Sequence, residues 1–278
     1  MIYLILAIVS SALVSIIMRC SEKYIDNNIS MLSINYLMCL ILAGIYIDFH
    51  QIYIPVIGMN KAIVLGIING ILYLSGFILL QRNINKNGVI LSSLFMKLGI
   101  LIPMIVSIFV FKELPSTVQL IGFIIAIISI VFMNIKKEDT NVGFKFGLLL
   151  LLIVNGTTDT MSKIFDEVGN TMLSEQFLFY TFLFALILCV FFTFIKKQSL
   201  HKNELFFGLL IGIPNYFSAR FLLQALQSIP AVIVYPTYSV STIVVVTVVG
   251  ILLFKETLYK YQKISMIGIL LSLILLNI

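Results

Sequence analysis

The sequence predicts an all-α integral membrane protein in which ten transmembrane helices form two inverted five-helix repeats. Three observations carry that reading. The 278 residues are 60% hydrophobic and only 11% charged, with mean hydropathy +1.12, whereas a soluble domain is about 45–50% apolar and about 25% charged. The apolar residues fall in runs of the length that a ~30 Å hydrocarbon slab demands, separated by short charged clusters. A set of polar residues also recurs at a fixed offset of 143 positions.

The runs cover 2–20, 30–48, 62–81, 88–111, 117–134, 144–164, 175–195, 205–227, 231–254 and 261–277. Backbone groups in lipid must be hydrogen-bonded within their own segment, so each continuous run is a helix. A barrel strand would instead be about ten residues of alternating polarity. The first run starts at Ile2 with no basic stretch before it and no small-residue cleavage signal after it, so it reads as a retained helix rather than a signal peptide. The loops are short and leave no room for a separate soluble domain. Cys20, Cys39 and Cys189 are scattered and odd in number, which supports neither a disulfide framework nor a metal site.

Loop charge predicts an orientation. The odd-numbered loops hold Arg19, Lys23, Arg82, Lys86, Lys136, Lys137, Lys145, Lys196, Lys197, Lys202, Lys255, Lys260 and Lys263, against Lys61 and Lys112 in the even-numbered loops. The positive-inside rule places the odd loops in the cytoplasm and both termini outside.

The repeat is carried by residues that composition does not explain. Phe111-Lys112-Glu113 returns as Phe254-Lys255-Glu256. In the same register Tyr73 meets Tyr216, Ser75 meets Ser218, and Leu79-Leu80-Gln81 meets Leu222-Leu223-Gln224. Gln119 meets Gln262, Ser129 meets Ser272, and Asn134-Ile135 meets Asn277-Ile278. Residues 1–140 form the first repeat and 141–278 the second, in one membrane domain. Five helices is an odd number, so the second copy enters the membrane from the opposite side. Inverted repeats of this kind place a solute site between the halves near the midplane and expose it alternately by rocking. In this register Lys97 faces Val240 and Asp159 faces Ile16, and these asymmetric polar residues are where the substrate chemistry is expected.

Ten helices in two halves, each with a fourth helix closing on an apolar-Lys-Glu turn, resemble the drug/metabolite transporter superfamily, in particular its EamA-type members, over the whole chain. The resemblance implies a central cavity lined mainly by helices 1–4 and 6–9, with helices 5 and 10 as peripheral supports. It implies a multi-pass protein of a bacterial-type cell membrane. Members move amino acids, nucleotide sugars, phosphorylated sugars, choline and other small solutes, and usually keep both termini in the cytoplasm, against the loop charge found here. Small multidrug resistance relatives use a Glu in their first helix to bind cations and protons. This chain has Ser11 and Ser15 there and no carboxylate before Glu22, which weakens a reading as a proton-coupled exporter of cationic drugs.

Polar groups in hydrocarbon are costly, so those inside the runs are the candidate site. Lys97 lies near the centre of run 88–111, where a charge costs about 3 kcal/mol. Ser93 and Met104 share its face, and Pro103 beyond it permits a kink. Lys97 reads either as a substrate or gate contact or as one member of a structural ion pair. The sixth run carries Asn155, Thr158, Asp159 and Ser162 on one stripe, and Asp159 has Lys163, Lys97 and Arg220 as candidate partners. The eighth carries Tyr216, Arg220 and Gln224 on one face, with Asn215 after the helix breaker Pro214. Arg220 either snorkels to the boundary or grips a carboxylate or phosphate. Tyr235 and Tyr238, on one face of the ninth run with Thr242, read as an aromatic pocket wall or as interfacial anchors. The third offers Asn69, Tyr73 and Gly76, and the second Asn35. Gly66, Gly70 and Gly76 read as close-packing positions.

The candidate substrate-binding set is Lys97, Arg220, Asp159, Tyr235, Tyr238, Tyr73, Tyr216, Asn155 and Asn69. Lys97 and Arg220 against Asp159 leave the interior basic, which favours an anionic or zwitterionic solute such as an amino acid, organic acid or phosphorylated metabolite. An exporter of cationic or amphipathic compounds and a channel-like permease are the alternatives. Intramembrane proteolysis needs Ser with His, or two Asp; no His lies in a run and Asp159 is the single clear Asp. No metal-ligand cluster, Gly-rich phosphate loop or nucleotide motif appears. A carrier rather than an enzyme is therefore expected, with no cofactor. Its expected partners are a small-molecule solute, the lipid bilayer and a coupling proton or counter-substrate, but no nucleic acid.

Overall fold

A computed structural model describes residues 1–47, 51–110, 116–135, 145–195, 199–229, 231–256, 260–275 and 278, and those residues form helices and short connections. The helices are α1 (Ile2–Ser21), α2 (Asn28–Ile47), α3 (Met59–Lys97), α4 (Leu101–Phe109), α5 (Thr117–Ile135), α6 (Lys145–Val168), α7 (Ser174–Ile195), α8 (Lys202–Leu226), α9 (Ala231–Phe254) and α10 (Lys260–Leu275). Among the described residues seven helices are long and apolar enough to cross a membrane, and α5 and α10 contain shorter apolar stretches. Large apolar side chains such as Ile5, Val9, Ile45, Phe194 and Leu252 point outward, as a lipid-facing surface requires. His50 and the first turn motif, Phe111-Lys112-Glu113, lie outside the described residues, as do Lys136, Lys137, Lys196, Lys197 and Asn277.

The third and fourth apolar runs are joined differently from the expected loop over 82–87. The helical segment Met59–Pro103 is 45 residues long, about 68 Å at 1.5 Å per residue and enough for two passes. Helix continues through Asn87 and breaks at Gly88 alone (φ 82, ψ 168). The chain reverses there, because Gly76 before the break and Gly99 after it pack beside successive residues of α6, Asn155 and Gly156. A left-handed φ followed by an extended ψ suits a residue with no Cβ, so one glycine does the work of a loop. A 3-10 turn at Leu98–Ile100 then separates α3 from α4. Pro103 explains it: the ring has no N–H to donate and crowds the carbonyl four residues back, at Gly99.

Packing follows an inverted two-fold. α1 lies on α8 and α9, while its repeat mate α6 lies on α3 and α4; α2 lies on α8 as α7 lies on α3. α2 meets α7 across the axis, and α5 pairs with α10. Two glycine pairs set close crossings related by the repeat. A Cβ at Gly70 would sit 2.6 Å from the Thr181 carbonyl, and one at Gly66 2.8 Å from Tyr180 Cβ. On the mate, a Cβ at Gly212 would sit 2.6 Å from Met38 Cβ, and one at Gly208 2.6 Å from Ile34 Cβ. Small residues let helix backbones approach where lipid offers no hydrophobic drive.

The face carrying the odd-numbered loops is tied by buried Glu204. Its carboxylate accepts from the Asp26 and Asn27 amides at 3.0 and 3.2 Å and from the His201 amide at 3.1 Å. It thereby takes free donors at the starts of both α2 and α8.

Candidate solute site between the repeats

A cavity of about 730 Å³, part of it open to solvent, lies between the halves near the middle of the spans. α1 contributes Ser11 and Val14, and α3 contributes Tyr73, Gly76, Phe77 and Leu80, then Met96 and Lys97 after its break. The second half supplies Asn155, Thr158 and Asp159 from α6, Asn215, Ser218, Ala219 and Leu222 from α8, and Tyr238 from α9.

Lys97, only 8% exposed, rests its ammonium 3.7 Å from the centroid of the Tyr238 ring. A desolvated cation on an aromatic face is stabilised by about 2 kcal/mol. The Tyr238 hydroxyl shares a 2.9 Å hydrogen bond with Ser218 Oγ, which fixes the ring. Asp159 lines the same cavity, near enough that the Lys97 charge acts on it. The 3-10 turn below Lys97 brings Gly99 onto α6, where a Cβ would lie 2.7 Å from the Gly156 nitrogen. That contact sets the separation of the elements bearing Lys97 and Asp159. Asn155 donates to the Leu151 carbonyl at 3.0 Å, and Asn215 to Asn35 Oδ1 at 3.2 Å. Ser15, on the cavity helix α1, and Ser93, one turn before Lys97, have buried hydroxyls with no hydrogen-bond partner among the described residues. The Met104 side chain lies outside the described set.

The structure therefore brings Lys97, Asp159, Tyr73, Asn155 and Tyr238 together and places the remaining candidates elsewhere. Arg220 lines a second pocket with Glu175, Gln224 and Gln227. Its Nε donates to Glu175 Oε1 at 2.8 Å and its guanidinium stacks 3.8 Å from the Tyr46 ring. The Tyr216 hydroxyl donates to Glu175 Oε2 at 3.2 Å, so Tyr216 belongs to this cluster. Glu175 stands at the N-terminal edge of its run, 45 positions from Arg220, so no local pattern pairs the two. Asn69 donates to Thr181 Oγ1 at 3.4 Å between α3 and α7, and Tyr235 packs in a separate apolar cluster with Leu94 and Phe95. Residues missed by sequence reasoning are Ser218, whose partner Tyr238 is twenty positions away, and Glu175.

The cavity walls also refine the repeat. On α3 and α8 the equivalent lining positions are Tyr73 and Asn215, Gly76 and Ser218, Phe77 and Ala219, Leu80 and Leu222, each pair 142 apart rather than 143. The close-packing glycines Gly66 and Gly208, Gly70 and Gly212 keep the same 142.

The profile of the EamA-like transporter family matches the chain twice, over residues 1–135 and again over 145–278. The chain belongs to the EamA-like transporter family. As a member of that family it is a multi-pass membrane transporter that moves a small solute across lipid. An uncharacterized protein of Haemophilus influenzae is 24% identical to this EamA-like chain over 281 residues, covering 97% of this chain and 94% of its own. A crystal structure of a protein superposes with a TM-score of 0.65 at 12% identity, covering 99% of this chain and 94% of the other; at that identity the likeness concerns the fold alone. Among the described residues no group of three His, Cys, Asp or Glu side chains is arranged to hold a metal ion.

Proposed function

We propose that this EamA-like transporter is an alternating-access secondary carrier of a small zwitterionic or anionic solute in a bacterial-type plasma membrane. The observation that carries the reading is one cavity presenting a lysine ammonium and a carboxylate, with an aromatic wall beside them. Lys97 receives a solute carboxylate, Asp159 receives an ammonium group, and Tyr73, Tyr238 and Asn155 orient the rest. Amino acids carry both charges and rank first; organic acids and phosphorylated metabolites use Lys97 alone. Arg220, neutralised by Glu175, serves a vestibule rather than the central site. A proton or counter-solute supplies the driving force.

The reading is tested by thermal unfolding of the purified protein in detergent with amino acids, organic acids, phosphosugars and choline-like cations. Zwitterions or anions raise the melting temperature, and Lys97→Ala or Asp159→Asn removes the rise. Stabilisation by cations alone overturns the assignment. Concentrative uptake into sealed vesicles separates a carrier from a channel.

A further inference from the structure

The outer pocket around Arg220 has the same three parts as the central cavity. In the cavity a cation, Lys97, rests on the Tyr238 ring, with Asp159 in the same wall. In the pocket Arg220 rests 3.8 Å from the Tyr46 ring and pairs with Glu175. α8 is the common wall: Ser218, Ala219 and Leu222 line the cavity, and Arg220, Leu223 and Gln224 line the pocket. The pocket holds about 480 Å³, part of it open to solvent. Thr171, in the turn between α6 and α7, and Gln227, past the end of α8, place it at the face of the even-numbered loops. A file of rings leads inward from it. Tyr46 stacks on Tyr216 with centroids 5.7 Å apart, Phe182 lies 6.1 Å from Tyr216, and the cavity residue Tyr73 lies 5.7 Å from Phe182.

Two details of the pocket suit a ligand. The Glu175 carboxylate is divided: Oε1 accepts from Arg220 Nε at 2.8 Å and Oε2 from the Tyr216 hydroxyl at 3.2 Å. A guanidinium fork takes both oxygens of one carboxylate when geometry allows. Gln224 Oε1 is buried with no hydrogen-bond partner among the described residues, and such an acceptor is stabilised by an incoming N–H donor. We infer that this pocket is a second binding site, an antechamber selective for small zwitterions of the amino-acid type. The ligand carboxylate replaces Glu175 on Arg220, and the ligand ammonium is taken by Glu175 and Gln224 Oε1. Charge balance makes the site selective. The Arg220–Glu175 pair is neutral as a whole, so a bare anion on Arg220 strands the Glu175 charge, and a bare cation on Glu175 strands Arg220. A partly buried charge left without its partner is costly, and a zwitterion satisfies both. The choice of amino acids as ligands rests on the carrier reading.

The chain has no tryptophan, so Tyr46→Trp, at an exposed position, keeps a ring on Arg220 and installs a single fluorescent reporter. The purified protein in detergent is titrated with the proteinogenic amino acids other than tyrosine and tryptophan, and with acetate and ethylammonium as bare charges. At least one amino acid is expected to change the emission saturably, and the bare ions are expected to leave it unchanged. A Lys97→Ala background is expected to keep the midpoint within about twofold, as for independent sites. Arg220→Lys keeps the charge and loses the fork, and is expected to weaken the midpoint about tenfold. Glu175→Gln frees Arg220 for bare anions, so acetate now changes the emission. Loss of the response in Lys97→Ala, an unchanged midpoint in Arg220→Lys, a parent response to acetate equal to that of the amino acid, or silence to every amino acid overturns the site. If Tyr46→Trp does not accumulate, protection of Arg220 from phenylglyoxal in the native chain, read by mass spectrometry against Arg19, is judged by the same ligands and the same Lys97→Ala background. A melting-temperature rise with amino acids that Lys97→Ala removes, beside a silent reporter, removes the outer site and leaves the carrier reading intact. A reporter response without that rise keeps the outer site and removes the central assignment.

Discussion

The Lys97 ammonium rests on the ring of Tyr238, 3.7 Å from its centroid, and this contact joins the first repeat to the second inside the cavity. Neither side chain lies in the cavity wall by local sequence alone. Lys97 sits just before a 3-10 turn, and Tyr238 is oriented by Ser218. The ring holds the cation through a face-on attraction, which leaves its N–H donors available, as the proposed binding of a solute carboxylate requires.

Tyr238→Phe keeps the ring and loses only the Ser218 hydrogen bond, so solute affinity is expected to stay within about threefold. Tyr238→Leu removes the aromatic face, worth about 0.5–2 kcal/mol, and lowers affinity by about 2- to 30-fold. Titrating the solute-induced melting shift checks both. Equal losses in the two variants would assign the effect to the hydroxyl.

Glu175→Gln leaves the Arg220 guanidinium partly buried beside Tyr46 and Tyr216 without its carboxylate. The two side chains are 17% and 27% exposed, so solvent screens part of the loss, and about 1–2 kcal/mol of destabilisation is expected. The apparent melting temperature in detergent falls, while central-cavity solute binding remains. Loss of solute binding at unchanged stability would place Arg220 in the binding site after all.

Gly70→Ala drives a methyl against the Thr181 carbonyl, 2.6 Å from the ideal Cβ position, and neither helix backbone can move aside cheaply. A loss of about 1–3 kcal/mol is expected. Gly76→Ala meets Asn155 Nδ2 at 3.4 Å, across open cavity, and is expected to keep its stability while narrowing the site. Comparing the two melting temperatures decides it. Equal destabilisation would mean that Gly76 also serves packing.

The basic residues crowd the odd-numbered loops, 13 against 2, so a C-terminal alkaline phosphatase fusion is expected to be active and a C-terminal fluorescent protein dark. The opposite pair of results would show that this chain follows the usual orientation of its family and departs from its own loop charge.

The span boundaries were legible because continuous apolarity of bilayer length has few other causes. The polar stripe of α6 was legible too, since Asn155, Thr158 and Asp159 follow the helical period and all face the cavity. What local pattern did not reveal were contacts between distant segments. Arg220 read as a cavity cation because its partner Glu175 lies 45 positions earlier on another helix. The break at Gly88 read as a loop because the polar segment 82–87, with Arg82, Lys86 and three asparagines, looks like one, although helix persists to the glycine. For buried Glu204 only the local cap on His201 was within reach of a sequence pattern, since its other two backbone partners, Asp26 and Asn27, meet it only once α2 and α8 are adjacent.

The glycine pairs and the tyrosines record different histories of the duplication. Tyr73 follows Gly70 by three residues, whereas Tyr216 follows Gly212 by four. One additional residue turns a helix by about 100°. Past the helix breaker Pro214, the inherited Tyr-x-Ser of the second copy is thus rolled away from the face its counterpart occupies. Tyr73 looks into the cavity and Ser75 away from it, while Ser218 looks in and Tyr216 turns to Glu175. The single-residue slip thus leaves the two walls of the chamber unlike, and under the carrier reading a chamber that differs from wall to wall holds its solute in one orientation only.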